Sequence, residues 1–436
     1  MSLMGVRAVG VAVLAALSMQ SSLAYDLVIR QGKILDGGGN PAYVADVAVT
    51  GDRIVAIGAL GSAPAKRTID ANGLYIVPGF IDLHSHADRG LVSDDVEMRR
   101  AVNLITQGIT TVVGGPDGGN QRPTIAEELA AFQAHAGTLN LVPMIGHSTV
   151  RSQVMGKDYA RPATPQEVAR MQAIVRDGME RGAWGLSAGL EYRIGRFSRP
   201  DEVVALAKMV APFDGFYIAH QRSEIALPFW RLPSIATGLP IDGTRALAET
   251  INIAREAKIR VVASHAKAGG TVSWGTGTNQ VRMVNEARAQ GLNVYFDQYV
   301  YTSAGNNALW NRLPMWAYAP AGYNRNEGND DPALGESGAL KQHRENLRKH
   351  LSSPQQRALL EEDIAWLAHQ QGGPERLVVL DYPDKSLVGR TVADLARERQ
   401  IDYRALLIDL ALQGYDRPGG VLIRGHAMED TDIVTF

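Results

Sequence analysis

The sequence contains no cysteine among its 436 residues. Disulfide bonds, thiolate metal ligands and a cysteine nucleophile are therefore all excluded. An excess of charge of one sign is also lacking, because 44 Lys and Arg against 46 Asp and Glu give a formal net charge of −2. This balance gives no electrostatic reason to expect a nucleic acid or an anionic membrane as partner. Any bound metal must be held by carboxylates and by the 10 histidines.

The first 24 residues are typical of a secretory signal. Arg7 gives a short basic start, residues 8–19 are apolar apart from Ser18, and small residues precede position 25 where a signal peptidase would cut. A membrane anchor is the alternative, but the apolar run is too short to cross about 30 Å of hydrocarbon. We therefore expect a signal peptide over residues 1–24, a periplasmic or secreted protein, and no membrane association after cleavage.

Short β-strand patterns fill the next segment, residues 25–75. Apolar or alternating runs cover 26–30, 33–36, 45–50 and 53–57, and glycine-rich turns separate them. We expect a small β-sandwich lobe over residues 25–75, part of a composite domain whose C-terminal part is missing.

From residue 76 the pattern changes to alternating strands and helices. Apolar runs flanked by amphipathic helices predict an α/β fold with a parallel sheet buried on both faces. Seven strand-and-helix units can be traced, whereas a closed (β/α)₈ TIM-like barrel needs eight. We expect such a barrel over 76–436, its last strand missing through truncation or rearrangement, with a helical insertion around 303–413 and one more short strand at 421–424. The predicted barrel strands are 76–83, 109–115, 140–146, 184–190, 216–222, 260–265 and 292–299.

Histidines stand at the carboxyl ends of three of these strands. His84 and His86 follow the first strand and, being two residues apart, point to the same side of an extended chain. His220 follows the fifth strand core and His265 ends the sixth. A lone histidine at a strand end is more often structural, but the carboxyl ends of barrel strands converge on one face, which favours a metal site. The helical histidines, predicted to lie at the surface, are His135, His343, His350 and His369.

Asp117 follows the second strand at the same predicted face. It lies in a Gly-Pro-Asp-Gly sequence, where Asp is a common turn residue. Taken alone, the sequence is therefore consistent with either a metal ligand or a turn residue at this position.

The residues around the first histidine pair resemble a known signature. Val77-Pro-Gly-Phe-Ile-Asp-Leu-His-Ser-His86 is similar to the signature of the amidohydrolase superfamily. Further segments resemble the N-acyl-D-amino-acid deacylase (D-aminoacylase) family, and the similarity extends from about residue 25 to residue 436. These segments are 146–151, 185–192, 220–222, 264–267 and 296–299.

The resemblance implies a β-sandwich lobe, a distorted (β/α)₈ barrel and bound Zn²⁺. One tightly held zinc ion would be bound by Asp117, His220 and His265, and His84 and His86 would line a second, weaker position. The family usually has a cysteine where this sequence has Asp117. A carboxylate is a reasonable zinc ligand but a harder one, so we expect a looser metal or a wider choice of metals.

A second departure from the family concerns the general base. The family places a catalytic Asp after its eighth strand in a Ser-Asp-Gly context, and this sequence contains no Ser-Asp-Gly. Asp430 and Asp432 resemble the helix start that precedes that strand, so we assign neither to the role. We expect the base to lie beyond the C-terminus and predict zinc binding with weak or no deacylase activity for residues 1–436.

The implied reaction is zinc-dependent hydrolysis of the amide bond of small-molecule N-acyl-D-amino acids, releasing a carboxylate and a free amino acid. Tyr192 and His147 are either donors to the carbonyl oxygen or buried, satisfied side chains. Lys267 and Arg222 are candidates for binding the substrate carboxylate, because each lies two residues beyond a ligand histidine on the same predicted strand and so points to the same side. A structural ion pair explains Arg222 equally well. Two rival interpretations stay open: another superfamily amide hydrolase of dihydroorotase, hydantoinase or isoaspartyl-dipeptidase type, and a non-catalytic exported binding protein.

Overall fold

The computed structural model describes residues 24–134, 137–235, 241–303, 307–320, 323, 339–417 and 420–436. The predicted signal segment, apart from Ala24, lies outside these ranges, and so does His135. The chain divides into two compact units, one up to Phe80 and the other from Ile81 onward. Among the described residues, no helix is both long and apolar enough to cross a membrane.

The first unit contains a five-stranded sheet. Its strands are β1 (Tyr25–Ile34), β2 (Tyr43–Thr50), β3 (Arg53–Gly58), β4 (Ala65–Asp70) and β5 (Tyr75–Ile76). The strand order is β3-β2-β1-β4, the first three strands are antiparallel, and β4 and β5 run parallel to β1. The predicted strands 26–30 and 33–36 form the single strand β1, because a bulge between Ile29 and Gly32 carries the chain on without a turn.

The second unit is built on parallel strands, as predicted. They are β6 (Phe80–Asp82), β7 (Ile109–Gly114), β8 (Asn140–Pro143), β9 (Ile145–Gly146), β10 (Gly185–Gly189), β11 (Phe216–His220), β12 (Arg260–Ala263) and β13 (Val294–Phe296). One sheet has the order β6-β7-β8 and the other β9-β10-β11-β12-β13. Every predicted barrel strand is therefore present, and the third is divided into β8 and β9 at Met144.

Helices connect these strands. The helices are α1 (Asp88–Leu91), α2 (Val96–Arg99), α3 (Val102–Ile105), α4 (Ile125–Ala134), α5 (His147–Met155), α6 (Pro165–Glu180), α7 (Pro200–Val210), α8 (Gly243–Ala257) and α9 (Gly277–Ala289). Thr164 begins α6 with a capping box that includes Glu167, and the Asp242 side chain caps α8. The buried residues of α6, such as Met171 and Val175, repeat at helical spacing and pack on the sheet.

The parallel strands are buried on both faces. On β11, Tyr217 and Ala219 belong to the hydrophobic core that the sheet shares with the helices, whereas Ile218 packs in a separate cluster with Val113 and Met144. Successive side chains of a strand point to opposite faces, so the two clusters lie on opposite sides of the sheet. This arrangement leaves the strand ends as the place for polar side chains.

The C-terminal segment has a hydrophobic core of its own. Its elements are α10 (Leu340–Leu351), α11 (Pro354–Gln370), β14 (Leu377–Asp381), α12 (Val392–Arg399), α13 (Tyr403–Gln413), β15 (Leu422–Gly425) and α14 (Asp430–Thr435). Fully buried Trp310, Leu347, Leu360 and Leu407 belong to this core. The segment is largely helical, as predicted for residues 303–413, but it also contains β14. This strand was not predicted because its five residues lie between two helices and are too few to show a strand pattern of their own.

Of two sequence predictions for this segment, one is confirmed and one needs correction. The short strand predicted at 421–424 is present as β15, which pairs antiparallel with β14. His343 is 1% exposed, and its ring lies 5.3 Å from that of Trp310. The prediction of a surface position was wrong because His343 shares the buried face of α10 with Leu340 and Leu347.

Candidate metal centre

The five predicted ligands meet at the carboxyl ends of the parallel strands. His220 is the last residue of β11, while His84, Asp117 and His265 lie in the loops that follow β6, β7 and β12. The ring centroids of His84 and His86 are 5.4 Å apart, those of His84 and His265 4.7 Å, and those of His220 and His265 4.9 Å. The strand-end pattern thus places all four imidazoles in one cluster, as parallel strands require.

The Asp117 carboxylate contacts several of these histidines. Its Oδ1 lies 3.5 Å from Nε2 of His84 and 3.7 Å from Nε2 of His265, and its Oδ2 lies 3.3 Å from Nε2 of His86. The Tyr192 hydroxyl donates to the same Oδ2 at 3.4 Å. Burial acts to raise the pKa of Asp117, but the surrounding imidazoles outweigh it and hold the pKa well below its ordinary value. Asp117 is therefore an anion that lies among three imidazole rings and the Tyr192 hydroxyl.

Two residues of the cluster have left-handed backbone conformations. The φ angle is 55° at Asp117 and 36° at His265, a region that residues with a Cβ rarely adopt. Strain of this kind costs about 1–3 kcal/mol per residue and concentrates at functional sites. Next to Asp117, a Cβ on Gly118 would lie only 2.8 Å from the backbone nitrogen of Gly189, so the loop can approach β10 only with glycine there. The loop is shaped to place the carboxylate.

A buried serine determines which nitrogen of His84 faces the cluster. Ser264 Oγ donates to Oδ2 of Asp297 at 2.9 Å and lies 2.8 Å from Nδ1 of His84. Since the hydroxyl has one proton and Asp297 accepts it, Nδ1 of His84 must be the donor in the second contact. The lone pair of Nε2 then points toward Asp117, as metal ligation requires.

Glu191 has the corresponding role for His220. Its Oε2 lies 2.9 Å from Nε2 of His220, and its Oε1 accepts the backbone N–H of Phe229 at 2.6 Å. Burial lowers the pKa of His220 to about 4, so the ring is neutral at pH 7. With its Nε2–H directed at Glu191, the ring has its lone pair on Nδ1, which is buried and has no hydrogen-bond partner.

Glu224 links two of the histidines to a lysine. Its Oε1 lies 2.5 Å from Nδ1 of His265 and 3.7 Å from Nδ1 of His220, and its Oε2 lies 2.7 Å from Nζ of Lys267. Burial opposes ionisation of Glu224, but His220, His265 and Lys267 outweigh it and lower its pKa. Burial likewise disfavours the charged form of His265, but Glu224 outweighs it and raises the pKa to about 9.

The donor atoms of this cluster fit a divalent metal ion. Ligand atoms of His84, Asp117 and His265 lie within 4.8 Å of one another, and so do those of His220, Glu224 and His265. Oδ1 of Asp117 and Nδ1 of His220 are buried without a hydrogen-bond partner, which is uncommon for polar atoms unless a ligand meets them. Imidazole and carboxylate are both ordinary zinc ligands. The residues present therefore match the zinc that the resemblance implies.

A cavity of about 430 Å³ opens on the cluster, a volume that suits a small molecule. Two predicted site residues besides the ligands, Tyr192 and Lys267, lie in its wall. The remaining lining residues are Glu191, Glu224, Ile225, Phe229, Gly269, Tyr299, Asn311, Arg312, Met315, Leu367, Gln370, Gln371 and Ala427.

His147 and Arg222, also predicted for the site, lie elsewhere and not in this wall. His147 is fully buried, and its Nε2 lies 2.9 Å from Oε1 of Glu202. The Arg222 guanidinium donates two hydrogen bonds of 2.8 Å to Glu249. The two-residue period that placed Arg222 beside the site fails because β11 ends at His220. Arg222 therefore forms a buried ion pair, and His147 is a buried side chain hydrogen-bonded to Glu202. For each residue this is the structural alternative that the sequence left open, in place of a contact with substrate.

Four residues around the cluster of candidate metal ligands were not predicted from the sequence: Glu191, Glu224, Ser264 and Asp297. Two of them directly precede a predicted site residue, and three lie within segments that resemble the family. Their partners come from other strands, and only the strand order β10-β11-β12-β13 brings them together. The sequence does show polar residues close to predicted site residues. It does not show which histidine each of these polar residues contacts.

Comparison with known proteins identifies the family. Residues 67–218 match the sequence model of the Amidohydrolase family. The chain contains an amidohydrolase-family domain. It is 33% identical over 315 residues to D-aminoacylase of Alcaligenes xylosoxydans xylosoxydans, covering 67% of this chain and 60% of that protein. It is 31% identical over 305 residues to N-acyl-D-glutamate deacylase of the same organism, covering 65% and 58%. The chain thus spans about three fifths of the length of these relatives.

Solved structures share the fold of this chain. A crystal structure of D-aminoacylase matches with a TM-score of 0.63 at 25% identity, covering 94% of this chain and 73% of that one. N-acyl-D-glutamate deacylase from Bordetella bronchiseptica, solved with zinc and a phosphonate mimic of the tetrahedral intermediate, matches with a TM-score of 0.65 at 23% identity and the same coverage. The predicted α/β fold of amidohydrolase type is confirmed.

Proposed function

We propose that this chain is a metal-dependent hydrolase that cleaves the amide bond of N-acyl-D-amino acids, releasing a carboxylate and a free amino acid. The observation that supports it most is the cluster of His84, His86, Asp117, His220 and His265 at the strand ends, beside a cavity of small-molecule size. The substrate class is suggested by the relatives named D-aminoacylase and N-acyl-D-glutamate deacylase.

In this proposal the predicted ligands keep their assignments. Asp117, His220 and His265 would hold the tighter zinc ion, and His84 and His86 would line a second, weaker position. Bound zinc lowers the pKa of water toward ~7 and polarises a carbonyl group. The other steps fall to the side chains around the cavity.

Tyr192 is the proposed donor to the substrate carbonyl oxygen. Its hydroxyl lies in the cavity wall, 3.4 Å from Oδ2 of Asp117. Burial, together with the carboxylates of Asp117 and Glu224, raises its pKa well above the ordinary value. The hydroxyl therefore keeps its proton at neutral pH and can donate as negative charge develops on the carbonyl oxygen. One such donor is worth roughly 3–4 kcal/mol of transition-state stabilisation.

Lys267 is the proposed partner of the substrate carboxylate. Its ammonium group lies in the cavity wall and is held by Oε2 of Glu224 at 2.7 Å and by the carbonyl oxygen of His265 at 3.0 Å. These contacts hold the ammonium group, and so a positive charge, beside the candidate metal ligands. A fixed ammonium attracts a carboxylate as a point charge.

The test compares enantiomers. Zinc-loaded protein is incubated for hours with N-acetyl-D-leucine or N-acetyl-L-leucine, and free leucine is measured; binding of the phosphonate analogue of each enantiomer is measured by calorimetry. We expect slow release from the D enantiomer, tighter binding of the D analogue, and loss of both in Asp117→Ala. His369→Ala, at an exposed histidine, is the control. Release from neither enantiomer, with equal binding of the two analogues, would contradict the proposal.

We also propose that the protein is exported. The support is the basic, apolar and small-residue pattern of residues 1–24. N-terminal sequencing of the protein recovered from the periplasm or medium should begin at Tyr25. Protein that stays in the cytoplasm with its first residues intact would contradict export.

A further inference from the structure

The proposed function assigns no role to three polar residues of the cavity wall. Asn311 lies in the short 3₁₀ turn Leu309–Arg312, Gln370 is the last residue of α11, and Gln371 follows it. All three line the cavity, and they come from the C-terminal segment, whereas the candidate metal ligands come from the parallel strand ends. We call Asn311, Gln370 and Gln371 the carboxamide wall.

Most amide atoms of the carboxamide wall have no hydrogen-bond partner within the described part of the chain. Nδ2 and Oδ1 of Asn311, Nε2 and Oε1 of Gln370, and Oε1 of Gln371 are all buried without one. Gln370 itself is only 4% exposed. A buried polar group left without a hydrogen bond destabilises a protein by about 1–3 kcal/mol, and native proteins contain few. Three such side chains lining one cavity indicate a ligand that completes their hydrogen bonds.

Gln370 of the carboxamide wall contacts the loop that follows β12 and contains His265. A Cβ on Gly270, in this loop, would lie 2.9 Å from Oε1 of Gln370. The terminal torsion of a glutamine side chain is broad, so the amide can turn toward a ligand without leaving its rotamer. Gln370 and the predicted metal ligands line the same cavity, so a substrate whose scissile amide lies at these ligands can extend its other groups toward Gln370.

We propose that the carboxamide wall binds a substrate group that both donates and accepts hydrogen bonds, namely a carboxamide or peptide group. The proposal rests on the proposed function and specifies its substrates. Whichever way the Asn311 and Gln370 amides are turned, their oxygens need donors, and so does Oε1 of Gln371 as it stands. A carboxamide has two N–H donors and one acceptor oxygen, whereas an aliphatic or thioether side chain offers no donor. The group can come from the amino-acid side chain, as in glutamine, or from a second amide in the acyl half.

An anionic substrate group is the competing possibility, because Arg312 also lines the cavity. A carboxylate would gain the attraction of the guanidinium group. It carries no proton at neutral pH, so it would leave the three amide oxygens without donors. The comparison of glutamine with glutamate derivatives therefore decides between the two.

The first experiment uses substrates of equal length. The ratio of kcat/KM for N-acetyl-D-glutamine to that for N-acetyl-D-methionine is measured with zinc-loaded full chain, and N-acetyl-D-glutamate is the third substrate. Two hydrogen bonds should favour glutamine over methionine by about ten- to a hundredfold. Gln370→Met should bring the ratio close to one. Gln355→Met, at an exposed position on the same helix, should leave it unchanged. The ratio does not depend on the fraction of folded or loaded protein.

A second pair locates the group in the substrate. N-(acetylglycyl)-D-leucine and N-pentanoyl-D-leucine have acyl chains of equal length, and only the first has the extra amide. Discrimination in this pair alone, abolished by Gln370→Met, would support the acyl half as the source. Three results would overturn the proposal: equal rates within both pairs, a preference for glutamate, or rate ratios that Gln370→Met does not change. Unchanged ratios are also the result expected if water alone completes the hydrogen bonds of the carboxamide wall.

Binding separates this inference from the proposed function. Calorimetry of N-acetyl-D-glutamine and N-acetyl-D-methionine with zinc-loaded protein gives an affinity ratio that needs no turnover. A preference for glutamine that Gln370→Met removes, in the absence of any hydrolysis, would support the carboxamide wall and contradict only the hydrolase. Equal affinities would overturn the carboxamide wall whether or not hydrolysis occurs.

Discussion

A buried acid behind the metal-binding loop should make the stability of this protein depend on pH. Glu128, on α4, is 2% exposed, and burial together with the Asp88 carboxylate raises its pKa from 4.5 to about 7. Asp88 in turn accepts the backbone N–H of Gly115 at 3.0 Å, in the loop that carries Asp117. The folded protein keeps the Glu128 proton to higher pH than the unfolded chain does. This contribution to stability is therefore complete below pH 4.5 and is lost as the pH rises to 7.

The rise of about 2.5 in the pKa of Glu128 corresponds to a loss of ~3 kcal/mol in the free energy of unfolding above pH 7. Glu128→Gln retains an oxygen for the backbone N–H of Arg122, which now donates to Glu128 at 2.9 Å, but it cannot ionise. We expect the variant to gain up to ~3 kcal/mol over the native protein between pH 4.5 and pH 8.

Denaturant unfolding of metal-free protein at pH 4.5, 6, 7 and 8 measures this difference, since removing the metal excludes its pH-dependent binding. Glu127→Gln, at an exposed position of the same helix, should show no such gain. A difference between Glu128→Gln and the native protein that does not change with pH, or that is largest at pH 4.5, would show that Glu128 does not have a raised pKa in the folded protein.

Three further variants test other contacts. Arg222→Ala should lower the free energy of unfolding by about 3–5 kcal/mol, because Glu249 would stay buried without its partner; a loss below about 1 kcal/mol in denaturant unfolding would contradict the buried pair. Ser264→Ala should weaken zinc binding by about 10–100-fold in chelator competition, because His84 loses the acceptor that orients it; exposed Ser352→Ala is the control, and unchanged affinity would count against this role. Asp117→Cys should strengthen binding of Zn²⁺ relative to Mn²⁺, because a thiolate is the softer ligand; an unchanged preference in metal competition would argue against Asp117 as a ligand.

The sequence was most informative where one periodic rule applied. Parallel strands end at a common face, so the positions of His84, His220 and His265 at the carboxyl ends of predicted strands were sufficient to place them together. The same rule failed for Arg222, because strand periodicity ends where the strand does. Past His220 the chain leaves the sheet, and Arg222 turns to Glu249 on α8.

The outer contacts of the cluster were not available from the sequence. Ser264 contacts His84 across 180 positions in the chain, and no local pattern records such a pair. Glu224 illustrates the same limit, since its side chain meets His265 and Lys267 only after β11 and β12 lie side by side. The charges could be counted beforehand, but their partners are set by tertiary packing.

Zinc retention by defined variants tests whether the histidines and Asp117 form a metal site. Native protein, Asp117→Ala, His265→Ala and His369→Ala are loaded with zinc, dialysed and measured for zinc per chain, with folding checked by circular dichroism. We expect at least one retained zinc ion in the native protein and in His369→Ala, and its loss from folded Asp117→Ala and His265→Ala. Native protein that retains no zinc, or Asp117→Ala and His265→Ala proteins that retain as much zinc as the native protein, would show that these residues do not form a zinc site.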